Sequence, residues 1–148
     1  MSKRQFIALL ALIGVLVASY LALYKAGAIA ELACSVGSCE TVQLSRWAMF
    51  LGLPVAAWGV VFYVVLLGVS VAGLQGPWAE SRQVSLALVG LSGWGVLFST
   101  WLTYLELFVI RAICQWCVVS AVLVTIAFVV SLMDLRDRTA ARLHAQVH

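Results

Sequence analysis

Charge is what this sequence has least of. Asp, Glu, Lys and Arg make up 10% of the 148 residues while 64% are hydrophobic, which is far from the balance of a soluble domain. Histidine is scarce too: His144 and His148 both fall in the C-terminal tail. There is no Ser-His-Asp set, no phosphate-cradling glycine loop and no carboxylate pair in an apolar setting. Triad hydrolysis, nucleotide chemistry and two-carboxylate acid–base catalysis therefore have no footing. Pro/Ser-rich linkers and low-complexity tracts are also missing, so residues 1–148 are expected to form a single domain.

What is there is apolar and long. Four uncharged runs stand at Phe6–Tyr24, Pro54–Leu74, Val84–Leu105 and Ile113–Met133. Each is close to the roughly 20 residues that a helix, rising about 1.5 Å per residue, needs to cross a bilayer core of about 30 Å. Buried helices of a soluble protein would show a polar face, and these do not. The predicted fold is all-α: a bundle of four transmembrane helices, with a short interfacial helix capping its non-cytoplasmic side.

Lys and Arg orient the bundle. Lys3, Arg4, Arg82, Arg136, Arg138 and Arg142 flank one side, against Lys25, Arg46 and Arg111 on the other. The positive-inside rule then places both termini in the cytoplasm, as expected for a multi-pass protein of the inner (plasma) membrane. The net charge of +3 reflects this topology, and membrane lipid, not nucleic acid, is the implied partner. A rival reading takes Lys3-Arg4, the apolar run and Ala28-Ile29-Ala30 as a cleaved signal peptide. The run exceeds the usual 7–15 residues of such a segment, so the first helix is expected to remain. A lipid attached to Cys34 is also disfavoured, because Glu31 occupies a position that would want an aliphatic residue.

The connections differ in length. Gln75-Gly76-Pro77-Trp78 reads as a tight turn with an interfacial tryptophan, and the segment from Glu106 to Ala112 is short. The tail after Asp134 reads as a short basic helix or a frayed end. Residues 25–53 form the one long connection, and long connections usually carry function. Within it, residues 40–51 mix apolar Val42, Trp47, Met49, Phe50 and Leu51 with polar Glu40, Gln43, Ser45 and Arg46. That mix predicts an interfacial helix lying as a lid over the bundle. It should end at Gly52-Leu53-Pro54, with Pro54 opening the next helix.

All four cysteines fall on the side of that lid: Cys34 and Cys39 in the long loop, Cys114 and Cys117 at the start of the last helix. Stray cysteines would scatter through the spans; these form two close pairs. In Cys114-Gln115-Trp116-Cys117, positions i and i+3 share a helix face. Cys114 sits where free amide groups and the helix dipole favour a thiolate, and Arg111 just upstream adds positive potential. Cys117 lies one turn deeper, about 4.5 Å along the axis. The pair therefore suits a relay between an aqueous partner and a lipid-soluble oxidant. Cys34 and Cys39 are separated by Ser35, Val36, Gly37 and Ser38, small or flexible residues that leave the pair mobile enough for exchange. Two static disulfides, or a four-cysteine metal site, are the alternatives. Against the second, such sites brace small soluble folds, and no metal is expected here. Glu31, Glu40 and Glu106 read as solvated interface charges.

This pattern resembles the vitamin K epoxide reductase family over Leu32 to about Leu135. The resemblance rests on Cys34 and Cys39, Ser45-Arg46-Trp47, Gly52-x-Pro54 with Gly59 and Tyr63, and Cys114-Gln115-Trp116-Cys117. The DsbB quinone oxidases also have four helices and four cysteines, but there the CxxC precedes the second pair. The resemblance implies a four-helix bundle enclosing a quinone, ubiquinone or menaquinone. Cys117 would react with it, Cys114 would exchange with Cys39, and Cys34 would face a redox partner. Ser45 matches the family's serine near the site. Val55 and Ala121 stand where the animal enzymes carry a quinone-binding asparagine and tyrosine, which argues against epoxide reduction and for a plain quinone. Trp58 and Trp116 are candidates to pack the quinone ring, while Trp78, Trp94 and Trp101 suit bundle packing or the interfacial belt. With no fused thioredoxin-like domain in these residues, a separate thioredoxin-like (DsbA-like) protein is the implied partner. The implied function is a quinone-linked thiol–disulfide oxidoreductase supporting disulfide formation. A quinone or vitamin K epoxide reductase proper and a thiol-based metal transporter are the alternatives.

Overall fold

A computed structural model describes residues 2–31, 33–34, 37 and 39–147. Leu32, the spacer residues Ser35, Val36 and Ser38, and His148 lie outside the described residues, so the expected mobility of that spacer does too. Four long helices make the bundle: α1 (Lys3–Lys25), α3 (Val55–Ala72), α4 (Arg82–Tyr104) and α5 (Gln115–Val147), with the short α2 (Cys39–Leu44) between the first two. Each of the four long helices is apolar enough to cross a membrane, and α1 packs against α3 and α5. The first apolar run is therefore an integral part of the bundle.

Side chains are sorted as a bilayer requires. Leu16, Val64, Leu97, Val122 and Val129 point outward. Small and polar residues fill the interior: Ser70, Ser85, Ser92 and Ser131 are fully buried. Three of these satisfy their hydroxyls on their own helix, Ser70 on Leu66, Ser92 on Leu88 and Ser131 on Ala127. Lipid offers no hydrophobic gain for burying large apolar groups, so close packing of small residues holds such helices together. Gly14 is one such contact, with the Tyr63 ring resting where a side chain would begin.

The helix ends follow local chemistry. Ser2 caps α1, its hydroxyl taking the Gln5 N–H at 3.2 Å while the Gln5 side chain takes the Ser2 N–H at 2.9 Å, a reciprocal capping box. At the other end Gly27 adopts φ 87°, and the Ala28 N–H reaches back to Leu23 O at 3.0 Å, as in a Schellman stop. The tail is neither a separate helix nor a frayed end: α5 continues unbroken through 33 residues. A Lys3–Asp137 bond of 2.6 Å ties its extension to α1.

Arg4, counted above among the charges flanking the cytoplasmic side, is 2% exposed. Its guanidinium donates to Asp134 at 3.2 Å, to the carbonyls of Gly73, Trp78, Ala79 and Ser81, and to the Ser85 hydroxyl. The 3₁₀ turn Gly76–Glu80 thus folds its carbonyls around one cation. A buried charge is tolerable only when paired and fully hydrogen-bonded, and this one is.

At the opposite end the cap departs from the expected single helix over 40–51. Helix α2 stops at Leu44, because Ser45 is extended and its hydroxyl bonds back to Val42 O at 2.8 Å. A 3₁₀ turn at Arg46–Ala48 follows, then a small hairpin of β1 (Met49–Phe50) and β2 (Leu53–Pro54). Leu51 and Gly52 turn it, both at positive φ, the signature of a two-residue primed turn. Pro54 serves as the N-cap of α3, directly before its first residue.

Candidate active site

The cap brings the two cysteine pairs into one packed cluster. Cys34 and Cys39 are joined as a disulfide with Cα atoms 6.2 Å apart, while Cys114 and Cys117 are free thiols. Cys39 and Cys114 are both buried and pack with Leu21, Val42 and Ala56, and Cys34, Trp116 and Cys117 border the same cluster. An isolated antiparallel bridge pairs Gly37 with Cys114, so the loop of the disulfide runs beside the start of α5. Trp116 and Tyr20 hold the loop from below. The Trp116 Nε1–H donates to Ala33 O at 2.8 Å, and the Ala33 N–H donates to the Tyr20 hydroxyl at 2.8 Å. Their rings meet edge-on at 5.5 Å.

The CxxC pair divides between two environments. Cys114 is enclosed under the cap, whereas Cys117 forms part of the wall of a cavity of about 430 Å³ within the bundle, a size that suits a small organic ligand. Apolar residues dominate its wall, among them Leu21, Val55, Trp58, Phe62, Trp94 and Phe98. Val42, Gln43, Trp47, Ala48, Phe50 and Leu51 close it from the cap side, as expected of a lid.

Cys114 lies just before the spanning helix. Its pKa is lowered from 9.0 to about 7, chiefly by hydrogen bonding from the Cys117 thiol. The Cys117 backbone N–H and the Gln43 amide act in the same direction, while burial and the Glu106 charge oppose them. The contributing N–H belongs to the first turn of α5, so the helix terminus plays the part expected of it. Arg111 is exposed and left-handed at φ 57°, and it is not among the groups acting on this sulfur.

Two residues of this site escaped the sequence reading. Gln43, taken as part of a polar face, is buried, and its Nε2 lies 3.5 Å from Cys117 Sγ and 3.8 Å from Cys114 Sγ. Lys25 holds the backbone of the same residue, donating to Gln43 O at 2.9 Å. The available signal was its position one helical turn after Cys39. Glu106 corrects the reading more sharply, for it is no solvated interface charge: it is 5% exposed. The end of the third span is a π-helix over Leu105–Ile110, whose wider turn carries Glu106 to the inner face. Its Oε2 accepts the Cys114 N–H at 3.2 Å. Glu31 and Glu40 are exposed.

The remaining candidates scatter. Val55 and Trp58 stand on the cavity wall, and Trp58 also donates to Phe50 O at 2.9 Å, pinning the hairpin. Trp116 is turned to the cap loop, and Ser45 is engaged with Val42. Ala121 lines a separate groove on the outer surface between α4 and α5. Trp94, assigned above to packing or the interface, contributes to the cavity wall. Tyr63 reaches the wall as well, its hydroxyl bonded to Ser120 at 2.8 Å.

A family model described as "Vitamin K epoxide reductase family" matches residues 5–132. The match takes in most of α1, well upstream of the motifs that suggested the resemblance, and extends deep into α5. All four cysteines fall within it. Covering most of the chain in this way, the match assigns the protein to the vitamin K epoxide reductase family, and its chemistry is that of a membrane-embedded oxidoreductase.

Proposed function

We propose that this protein oxidises the dithiol of a separate thioredoxin-like partner and passes the electrons to a membrane quinone, ubiquinone or menaquinone. The observation that carries this reading is the division of the CxxC pair, with Cys114 enclosed beside the disulfide loop and Cys117 on the wall of an apolar cavity. The cavity suits a quinone by the chemistry of its wall: flat aromatic faces at Trp58, Phe62 and Phe98, with one thiol and few polar groups. When bound, a quinone supplies a two-electron oxidant. Val55 on that wall offers no hydrogen bond, which supports a plain quinone over an epoxide.

The protein's own groups account for the thiol steps. A partner thiolate attacks the Cys34–Cys39 disulfide at Cys34, releasing Cys39. The partner's second thiol then attacks this mixed disulfide and frees Cys34, so the partner departs with a disulfide and the loop pair is reduced. Next, Cys114 and Cys39 exchange through a mixed disulfide once Cys114 and Cys117 have themselves been oxidised. A cysteine with a pKa of about 7 is about half thiolate at neutral pH, against a few per cent for an ordinary cysteine. That makes it a competent nucleophile and a good leaving group. Gln43 donates to both sulfurs and holds the pair in place. Both termini lie in the cytoplasm, the cysteines face the extracytoplasmic side of the inner (plasma) membrane, and residues 1–148 act as a single domain.

Purified protein in detergent, given a small dithiol and a soluble quinone, should reduce the quinone, followed by its loss of absorbance. Failure with both ubiquinone and menaquinone analogues would overturn the reading.

A further inference from the structure

We propose that Glu106 is the proton acceptor for Cys117, receiving the thiol proton as that sulfur becomes nucleophilic inside the cavity. The proposal rests on the reading of Cys117 as the cavity-side thiol. Three observations carry it. Among the described residues, Glu106 is the one Asp, Glu, Lys, Arg or His on the cavity wall. A carboxyl buried within a membrane span is costly, and such residues mark proton paths or binding sites. Its neighbours fit the role: Oε2 accepts the Cys114 N–H at 3.2 Å, and Cys117 stands on the same cavity wall. The π-turn at Leu105–Ile110 is what turns the side chain inward, and such turns recur at functional sites.

The step is a proton transfer and moves no electrons. The Cys117 S–H bond breaks, and an O–H bond forms on Glu106. The electron pair left on sulfur is then available to an oxidant in the cavity. Over a full turnover two thiols and one quinone become one disulfide and one hydroquinone. Glu106 gives up its proton to the product and returns to the carboxylate, and the product takes its second proton from solvent at the cap, replacing the one that Cys114 sheds there. Tyr63 is a poorer acceptor, because its hydroxyl is engaged by Ser120.

A purely structural Glu106 would only accept the Cys114 N–H, and glutamine can do the same. The test is therefore Glu106→Gln with two readouts. With a small dithiol donor, kcat for quinone reduction should fall about 100-fold while KM for quinone stays unchanged. The second readout is the infrared S–H stretch of Cys117, recorded in a Cys114→Ser background without quinone. It should lie at lower frequency in the protein that keeps Glu106 than in its Glu106→Gln counterpart, because a carboxylate draws the thiol proton more strongly than an amide does. Equal frequencies, or an unchanged kcat, overturn the proposal. If Glu106→Gln fails to fold, Glu106→Asp replaces it: withdrawing the carboxylate by one methylene should cost about 10-fold in kcat and raise the S–H frequency, and no change in either is equally fatal. Should the unmodified protein reduce no quinone, the functional reading fails, and the S–H comparison still decides the role of Glu106.

Discussion

Gly37 and Cys114 are paired by an antiparallel bridge, which fixes the disulfide loop against the start of α5. Gly37 has φ 86°, and a Cβ there would run into the Ile113 carbonyl oxygen. Glycine is therefore required twice, for conformation and for space. Gly37→Ala should lift the loop and slow exchange between the two pairs at least about tenfold, for an added cost of about 1.4 kcal/mol at the transition state. Quenched-flow trapping of the disulfides would measure it. Exchange at the original rate would mean that the bridge does not position the loop.

Removing the resolving thiol should expose the intermediate. In Cys117→Ala, Cys114 can still attack the oxidised loop pair at Cys39, and the thiol that would resolve the bridge on the cavity side is gone. A Cys39–Cys114 disulfide should accumulate, detectable by mass mapping without reduction. A bridge of this kind needs Cα atoms within about 7 Å. Finding only Cys34–Cys39 under every redox condition would leave the loop pair structural and end the relay.

The thiolate sets a pH dependence. With Cys114 at about 7, exchange that depends on its thiolate should rise as pH increases through 7 and level off above it. Gln43→Leu removes a donor to the sulfur, so the midpoint should move upward. A profile centred unchanged in Gln43→Leu would remove Gln43 from the thiolate's support.

The four spans and the order of the cysteine pairs were legible in the sequence, because hydrophobic length and close cysteine spacing are local signals. Glu106 was not. A lone carboxylate near the end of an apolar run looks like an interface charge at α-helical phase, and the π-turn changes that phase without leaving a mark in composition. The burial of Arg4 was hidden for a related reason, since a flanking cation reads alike whether water or backbone carbonyls surround it. The hairpin was hidden by Leu51, a residue type that seldom adopts positive φ.

Breaking the Arg4–Asp134 pair should test stability apart from chemistry. Arg4→Ala leaves the buried Asp134 carboxylate with only Ser85 and Arg138 and strips several carbonyls of their donor, at a cost of about 3 kcal/mol. Thermal unfolding in detergent should show a large drop. Arg4→Lys should recover little of it, since one ammonium cannot match the forked donors of a guanidinium. Recovery of most of the stability by lysine would show that charge alone matters there.

The cavity has a floor. Its lining stops at Val17 on α1, Val65 on α3, Leu91 on α4 and Val124 on α5. Below it Ile7, Leu66, Leu88 and Ala127 fill the bundle, and the Arg4 cluster seals the far end. The site is thus a socket walled off from the opposite face. In the proposed relay, electrons and protons would meet on the cap side of that floor, so turnover would perform no electrical work against the membrane voltage. The enzyme's rate should be indifferent to that voltage, and the only force driving it is the difference in redox potential between its thiols and its oxidant.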